Sequence, residues 1–151
     1  MKAKIIYLDD DSRNLESFKA NLRDHFVIFT VSNPIDAYNV LHEEDISMVI
    51  TDQRMPSMSG AEFLETVAEE FPKIERMLLT GVADWQAVVQ AVNKGRVSKI
   101  MTKPFNFSEL RAYIQEGIDR FKSKLEEEDL INNLKKQNQQ FEFILRQRLL
   151  S

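Results

Sequence analysis

The chain has 151 residues, a length that fits one domain with a small appendage, and its 43% hydrophobic and 29% charged residues are typical of a globular protein. It has no cysteine, which excludes disulfides and thiolate chemistry, and its two isolated histidines, His25 and His42, argue against a histidine-built zinc site. A formal net charge of -4 gives no reason to expect nucleic acid as a partner, and without a signal sequence or a membrane-length apolar run we expect a cytoplasmic protein that does not enter a membrane.

Short apolar segments alternate along the chain with segments of helical periodicity. The apolar segments, rich in Ile, Val, Phe and Leu, are AKIIYL, FVIFTV, SMVIT, RMLLT and SKIMT. Their length and composition suit strands that are buried on both faces. Because helices separate the strands, the connections should be right-handed crossovers, and the pattern predicts a doubly wound α/β fold with a five-stranded parallel sheet.

Local signals mark several helix boundaries. Asn33 followed by Pro34 predicts an N-cap with proline in the first turn. Ser59 and Asn106 are each followed three residues later by glutamate, the spacing of a capping box. Gly95 is expected to end the helix that contains WQAVVQAVNK.

Polar side chains follow four of the predicted strands. Asp9 and Asp10 follow the first strand, Asp52 the third, Thr80 the fourth and Lys103 the fifth. Ligands of open α/β sheets bind in the crevice at the carboxyl ends of the strands. The sequence therefore predicts a carboxylate-rich pocket at that edge.

The chemistry of this pocket follows from its charges. Three neighbouring carboxylates repel one another unless they are protonated or neutralised by a cation, and Mg²⁺ prefers such oxygen ligands. The Lys103 ammonium and the Thr80 hydroxyl can stabilise charge on a transferring phosphoryl group. Asp52 is the candidate nucleophile, since a carboxylate can form a covalent acyl phosphate.

The combined pattern resembles the receiver (REC) domain of bacterial two-component response regulators from Met1 to about Phe121. The resemblance rests on four motifs in a fixed order: YLDDDS, MVITDQRMPSMSG, MLLTG and IMTKPF. It implies a flavodoxin-like sheet of order 2-1-3-4-5. It also implies a signalling switch with at most slow autodephosphorylation, in which a sensor histidine kinase or phosphotransfer protein phosphorylates Asp52.

The same resemblance implies how the acidic residues divide their roles. Asp10 and Asp52 would bind Mg²⁺ directly, together with the backbone carbonyl of Arg54. Asp9 would act mostly through water, and Asp11 would lie beside the ligands without touching the metal.

Two further residues would contact the phosphoryl group. Lys103 would bind it from a turn in which the bond to Pro104 is cis, and the hydroxyl of Thr80 would move toward it. The chain departs from the family at Ile100, where a tyrosine or phenylalanine usually accompanies that movement. The aromatic switch of the family should therefore not be transferred to this chain.

Other interpretations remain open at this stage. Asp11 and Asp9 could merely cap the first helix, and Trp85 with the paired valines Val88 and Val89 of its helix should be packing residues. A magnesium-dependent phosphatase of the haloacid dehalogenase type also uses a strand-end aspartate and a lysine, but it places a second aspartate where Arg54 stands. The chain could also be a receiver that serves only as a scaffold, or a receiver fragment of a longer regulator whose output domain is missing.

The C-terminal segment predicts a long helix. From Asn106 to Leu150 there is no proline and a single glycine, so the last helix of a receiver at 1-121 should continue into an extension at 122-151. Helical spacing places five residues on one side of this extension: Ile131, Leu134, Asn138, Phe141 and Leu145. The stripe predicts a parallel dimeric coiled coil and hence a homodimer, with the asparagine helping to fix its register. A helix that folds back on its domain, or a fraying tail, is the alternative.

Overall fold

Strands and helices alternate along the chain in the order that the apolar periodicity predicts. The computed structural model describes residues 1-93 and 97-150. The elements are β1 (Lys4–Leu8), α1 (Ser12–Leu22), β2 (Val27–Val31), α2 (Pro34–Glu43), β3 (Met48–Asp52), α3 (Gly60–Glu70), β4 (Glu75–Thr80), a single 3₁₀ turn (Val82–Asp84), α4 (Trp85–Asn93), β5 (Lys99–Thr102) and α5 (Phe107–Leu150).

The five strands form one parallel sheet of order β2-β1-β3-β4-β5, which confirms the predicted doubly wound fold. The three central strands are almost wholly buried, whereas β2 and β5 are partly exposed because each edge strand has a neighbour on one side alone. The prediction that the strands are buried on both faces is therefore wrong for the two edge strands.

Two apolar clusters cover the two faces of the sheet. One contains Phe18 of α1 and Ile114 of α5 together with Ile5 and Tyr7 of β1. The other contains residues of α2, α3 and α4 together with Ile6 and Leu8 of β1. Alternate residues of the same strand thus point to opposite faces, as the pleat requires, and the sheet is covered by helices on both sides.

The predicted N-caps are present. The side chain of Asn33 accepts a hydrogen bond from the backbone N–H of Asp36 at 2.9 Å, and Asn106 accepts from Glu109 at 2.7 Å. The Ser59 hydroxyl oxygen accepts from the third residue after it at 3.1 Å. These bonds satisfy donors that the first helical turn leaves unpaired. Gly95, the expected helix end, lies outside the described residues.

The part of α5 around Gly117 approaches the sheet closely. A side chain at Gly117 would place its Cβ 2.1 Å from Cε of Met48, so the glycine permits this approach. One turn further on, Nε of Arg120 donates to Oε1 of Glu75 at 2.6 Å, and Glu75 is 1% exposed. This ion pair, which is buried at Glu75 and 46% exposed at the Arg120 side chain, fixes α5 at the amino end of β4.

The chain divides into two compact units, Met1–Phe121 and Lys122–Ser151. In the second unit, every residue from 122 to 150 is exposed except the half-buried Glu128. No helix in the described part of the chain combines the length and the apolar character needed to cross a membrane.

Candidate functional site

Three carboxylates converge at the carboxyl edge of the sheet. One oxygen from each of Asp9, Asp10 and Asp52 lies within 4.8 Å of the others. They meet because β1 and β3 are parallel neighbours, with Leu8 opposite Thr51 at their ends. Asp9 and Asp52 are buried and Asp10 is exposed. The structure thus brings together the acidic residues that the sequence singled out.

Asp9 is already held by protein donors. Its Oδ2 accepts from the Tyr7 hydroxyl at 2.6 Å and from Nδ2 of Asn14 at 3.0 Å, while its Oδ1 accepts from the backbone N–H of Asp11 at 2.9 Å. The Tyr7 ring stacks on Phe18 at 3.9 Å between centroids. Burial, followed by the hydrogen bond to Asp9, raises the pKa of Tyr7 far above its usual value, so its hydroxyl stays a donor.

Tyr7 and Asn14 were not among the predicted site residues. A signal for Tyr7 exists, because residues two apart in an extended chain lie on one face, which places this hydroxyl beside Asp9. Asn14 stands in the first turn of α1, next to the end of the strand. However, a tyrosine in a buried strand and an asparagine in a first helical turn are also ordinary packing and capping residues.

Asp11 is the N-cap of α1. Its carboxylate accepts from the backbone N–H of Arg13 at 2.9 Å and pairs with the Arg13 side chain at 3.4 Å. The backbone hydrogen bond of Arg13, and then its side chain, lower the pKa of Asp11. The capping interpretation therefore describes this side chain, while its backbone N–H supports Asp9.

Lys103 brings a positive charge to Asp52. Its Nζ lies 2.6 Å from Oδ1 of Asp52, and the peptide bond that follows, to Pro104, is cis, as the family resemblance implies. Burial raises the pKa of Asp52 above its usual range, and the hydrogen bond and charge of Lys103 oppose that shift. Thr80 is fully buried at the end of β4, where its hydroxyl donates to the carbonyl of Gly81 at 3.1 Å.

The loop after β3 turns sharply beneath the site. The backbone N–H of Gly60 donates to the carbonyl of Gln53 at 2.9 Å, and the Gln53 side chain accepts from the backbone N–H of Ala61 at 2.9 Å. A Cβ at Gly60 would lie 2.3 Å from the carbonyl oxygen of Asp52. Glycine is therefore required for the loop to close against the strand that carries Asp52.

A groove of about 600 Å³ opens beside the acidic cluster. Arg54 and Asp84 line it together with Asp10. Nε of Arg54 donates to Oδ2 and Oδ1 of Asp84 at 3.0 and 3.2 Å. No sequence pattern predicts this pair, because its members are 30 positions apart and are joined only by the fold.

Two positions of α4, which follows Thr80 in the chain, also differ from expectation. Trp85 is 53% exposed and Val89 is 37% exposed, so the prediction that they are packing residues is wrong. They lie on the outer side of α4, whereas Val88 is fully buried against the sheet. Ile100 is half-buried and packs against the same apolar cluster as Val88.

The arrangement joins a parallel sheet to a strand-end site with three carboxylates and one ammonium group. The chain belongs to the family described as "Response regulator receiver domain", whose model matches residues 5–115. Members of this family are phosphoacceptor signalling switches rather than enzymes of the usual kind, and histidine kinases or phosphotransfer proteins phosphorylate them.

Several relatives illustrate this membership. The chain is 31% identical over 104 residues to the hydrogenase transcriptional regulatory protein HoxA of Cupriavidus necator, a match that covers 69% of this chain and 22% of that protein. It is 31% identical over 109 residues to the response regulator receiver protein CpdR of Brucella abortus, covering 71% of this chain and 90% of that protein.

A solved structure described as an adenylate cyclase from Rhodopirellula baltica superimposes with a TM-score of 0.83 at 29% identity, covering 87% of this chain and 98% of that chain. The chain spans about a quarter of the length of the HoxA proteins that it matches, 22% and 26% in two organisms.

Proposed function

We propose that Asp52 is the phosphoacceptor of this receiver and that its phosphorylation depends on Mg²⁺. The observation that carries the proposal is the Lys103 ammonium 2.6 Å from the Asp52 carboxylate, beside two further aspartates. The Asp52 carboxylate has the Lys103 ammonium on one side. On the other side are the carboxylates of Asp9 and Asp10, where a second cation, Mg²⁺, can bind. This is the charge distribution that phosphoryl transfer requires.

The metal ligands are assigned by comparing how free the carboxylates are. Asp9 already accepts three hydrogen bonds, so it is suited to hold a metal-bound water, whereas Asp10 is exposed. Asp10 and Asp52 would contact Mg²⁺ directly, with the backbone carbonyl of Arg54. The bound ion would neutralise the carboxylates and supply positive charge to the phosphoryl oxygens.

The transfer itself uses groups of the chain. An Asp52 oxygen attacks the phosphorus of a phosphohistidine on the donor, so that a P–O bond forms and the P–N bond breaks. The Lys103 ammonium then shifts from the carboxylate to a phosphoryl oxygen. The Thr80 hydroxyl turns from the Gly81 carbonyl to another phosphoryl oxygen.

The product should persist longer than an enzyme intermediate. Two residues past Asp52 stands Arg54, which cannot act as the acid and base that a phosphatase uses to hydrolyse its acyl phosphate. Release of phosphate should therefore be slow, as a switch requires.

The proposal is tested by intact mass after incubation with a small phosphodonor, with and without Mg²⁺. Wild type should gain one phosphoryl group in the presence of Mg²⁺, and Asp52→Asn should gain none. Asp24→Asn changes an exposed aspartate in the loop between α1 and β2, at the amino end of the sheet; it is the matched control and should behave like wild type. Retention of the gain in Asp52→Asn would overturn the assignment, and steady release of many phosphates per chain would favour a phosphatase.

We further propose that residues 1-121 act as the receiver and that residues 122-151 mediate homodimerisation. The supporting observation is an exposed apolar stripe on α5. Its exposed fractions range from 43% to 63% at four residues: Leu145, Ile131, Leu134 and Phe141. Apolar side chains spaced by three and four residues are covered when two such helices pair in a parallel coiled coil. Asn138, on the same stripe, would pair with its counterpart and fix the register.

This dimer can be tested by sedimentation of the whole chain. Leu134→Lys with Phe141→Lys places two charges in the stripe and should give a monomer. Asn133→Lys with Gln140→Lys adds the same charges one position earlier, on the outer side, and should stay dimeric. A monomeric wild type, both before and after phosphorylation, would remove the proposal.

A further inference from the structure

One side chain connects the loop of the phosphoacceptor with the start of α4. Arg54 lies two residues beyond Asp52, and its Nε donates to both carboxylate oxygens of Asp84 at 3.0 and 3.2 Å. Asp84 ends the 3₁₀ turn after β4, and the next residue, Trp85, begins α4. The ion pair therefore ties two separate loops together beside the acidic cluster.

An anion that binds arginine more strongly can displace Asp84 from Arg54. The Arg54 side chain is 74% exposed and that of Asp84 is 21% exposed, so the guanidinium group can leave the pair for another anion without being moved out of a buried position. A phosphoryl group on Asp52 would bring roughly 1.5 to 2 negative charges to the cluster beside the groove that Arg54 and Asp84 line. A guanidinium group binds phosphoryl oxygens through two parallel hydrogen bonds, which is a stronger contact than its Nε bonds to Asp84.

We propose that Arg54 exchanges Asp84 for the phosphoryl oxygens when Asp52 is phosphorylated, and that this exchange releases the start of α4. The inference rests on the proposed function of Asp52. It gives the chain a connection between its site and α4 that requires no aromatic switch residue, which matters because Ile100 occupies that position.

Trp85 provides the readout. It is the single tryptophan of the chain, it is 53% exposed, and it follows Asp84 directly. Its fluorescence therefore reports on the segment that the exchange would free. Phosphorylation is followed in parallel by intact mass, so that the state of Asp52 is known for each spectrum.

The test compares wild type with Asp84→Asn, which removes the charge of the acceptor and keeps its shape. The matched control is Glu44→Gln. Glu44 also forms a partly exposed ion pair, with Lys4 at 2.8 Å, but it does so near the amino end of β1. Each chain is measured before and after treatment with a small phosphodonor and Mg²⁺.

In wild type and in Glu44→Gln, phosphorylation should change the Trp85 fluorescence. Unphosphorylated Asp84→Asn should already show more than half of that change, and it should still gain one phosphoryl group. Its remaining response to phosphorylation should be less than half of the wild-type response. In wild type, the NMR signal of the Arg54 Nε–H, assigned with Arg54→Lys, should also shift on phosphorylation.

Two results would overturn the exchange while leaving the phosphoacceptor in place. One is a phosphorylated wild type whose Trp85 fluorescence does not change. The other is Asp84→Asn with a wild-type spectrum before phosphorylation and a full response after it. No mass gain in any chain would instead count against the proposed function, and the exchange would fall with it.

Discussion

The Lys103 ammonium is anchored 2.6 Å from Asp52, across the ends of two strands that are not neighbours in the sheet. The contact depends on β4 lying between β3 and β5. It neutralises part of a cluster in which Asp9 and Asp10 add further negative charge. If Mg²⁺ binds there as we propose, Lys103 and the ion share the neutralisation of the cluster, and removal of either makes the other more important.

Lys103→Met should make the stability of the chain more dependent on Mg²⁺. Without Mg²⁺ the variant should lose about 2 kcal/mol of unfolding free energy, because a buried carboxylate loses a charged hydrogen bond. Added Mg²⁺ should restore more stability to the variant than to wild type, and phosphorylation should slow by about 100-fold. Urea unfolding with and without Mg²⁺ measures the first effect, and equal responses of the two chains to the ion would contradict it.

Asp10→Asn should have opposite effects on the two states of the site. Removing one of three neighbouring charges should stabilise the metal-free chain by up to about 1 kcal/mol. The same change should weaken Mg²⁺ binding by at least about tenfold, because a ligand is lost. Thermal unfolding in chelator and a Mg²⁺ titration measure the two effects, with Asp24→Asn as the control that should change neither.

Two glycine substitutions should differ sharply in cost. In Gly60→Ala the new Cβ meets the backbone carbonyl of Asp52 at 2.3 Å, and overpacking against backbone should cost about 2 kcal/mol or more. In Gly117→Ala the Cβ meets the flexible end of Met48, and better helix propensity offsets about 1 kcal/mol of the strain. Urea unfolding of both variants provides the comparison, and equal costs would show that the space at Gly60 is not limiting.

Arg120→Met should destabilise the receiver by about 3 kcal/mol, because Glu75 is buried and loses this cationic partner. The matched control is Arg111→Met on the same helix, where the arginine is exposed and contacts His25. That change should stay within about 0.5 kcal/mol of wild type. A cost at Arg120 no larger than at Arg111 would mean that the ion pair does not anchor α5.

Tyr38→Phe should alter the dependence of stability on alkaline pH. The Tyr38 hydroxyl donates to the carboxylate of Glu70, and this bond, followed by burial, raises the pKa of Tyr38 to about 12. Since the unfolded value is about 10, the bond stabilises the fold below pH of about 10 and is lost as the pH rises toward about 12. Wild type should therefore lose stability across that window relative to the variant in urea unfolding, and parallel profiles would contradict the assignment.

The parts of the fold and site that could be predicted depend on local or periodic signals. Buried strands are read from their apolar runs, and Asn33 or Ser59 from the donors that a helix start leaves unpaired. The meeting of Asp9, Asp10 and Asp52 follows because carboxyl ends of parallel strands share one edge.

The parts that could not be predicted depend on side-chain direction or distant pairing. Asp11 and Asp9 are the same residue type two positions apart. Yet the Asp11 carboxylate caps the first helix, whereas the Asp9 carboxylate belongs to the acidic cluster. Trp85 has the large apolar side chain of a typical core residue, but it lies on the outer side of α4. The bond between Arg54 and Asp84 requires two loops whose approach no local pattern encodes.

Strand β4 carries a contact of a different kind at each end. At its amino end Glu75 binds Arg120, and at its carboxyl end Thr80 lies at the edge of the sheet that carries the acidic cluster. Six residues of extended backbone keep these ends roughly 17 Å apart, a length that paired neighbours on both sides hold constant. The strand is thus a rigid element of fixed length between the acidic cluster, whose charge phosphorylation would change, and the contact that holds α5. A shift at one end of β4 along the strand axis would therefore be transmitted to the other end.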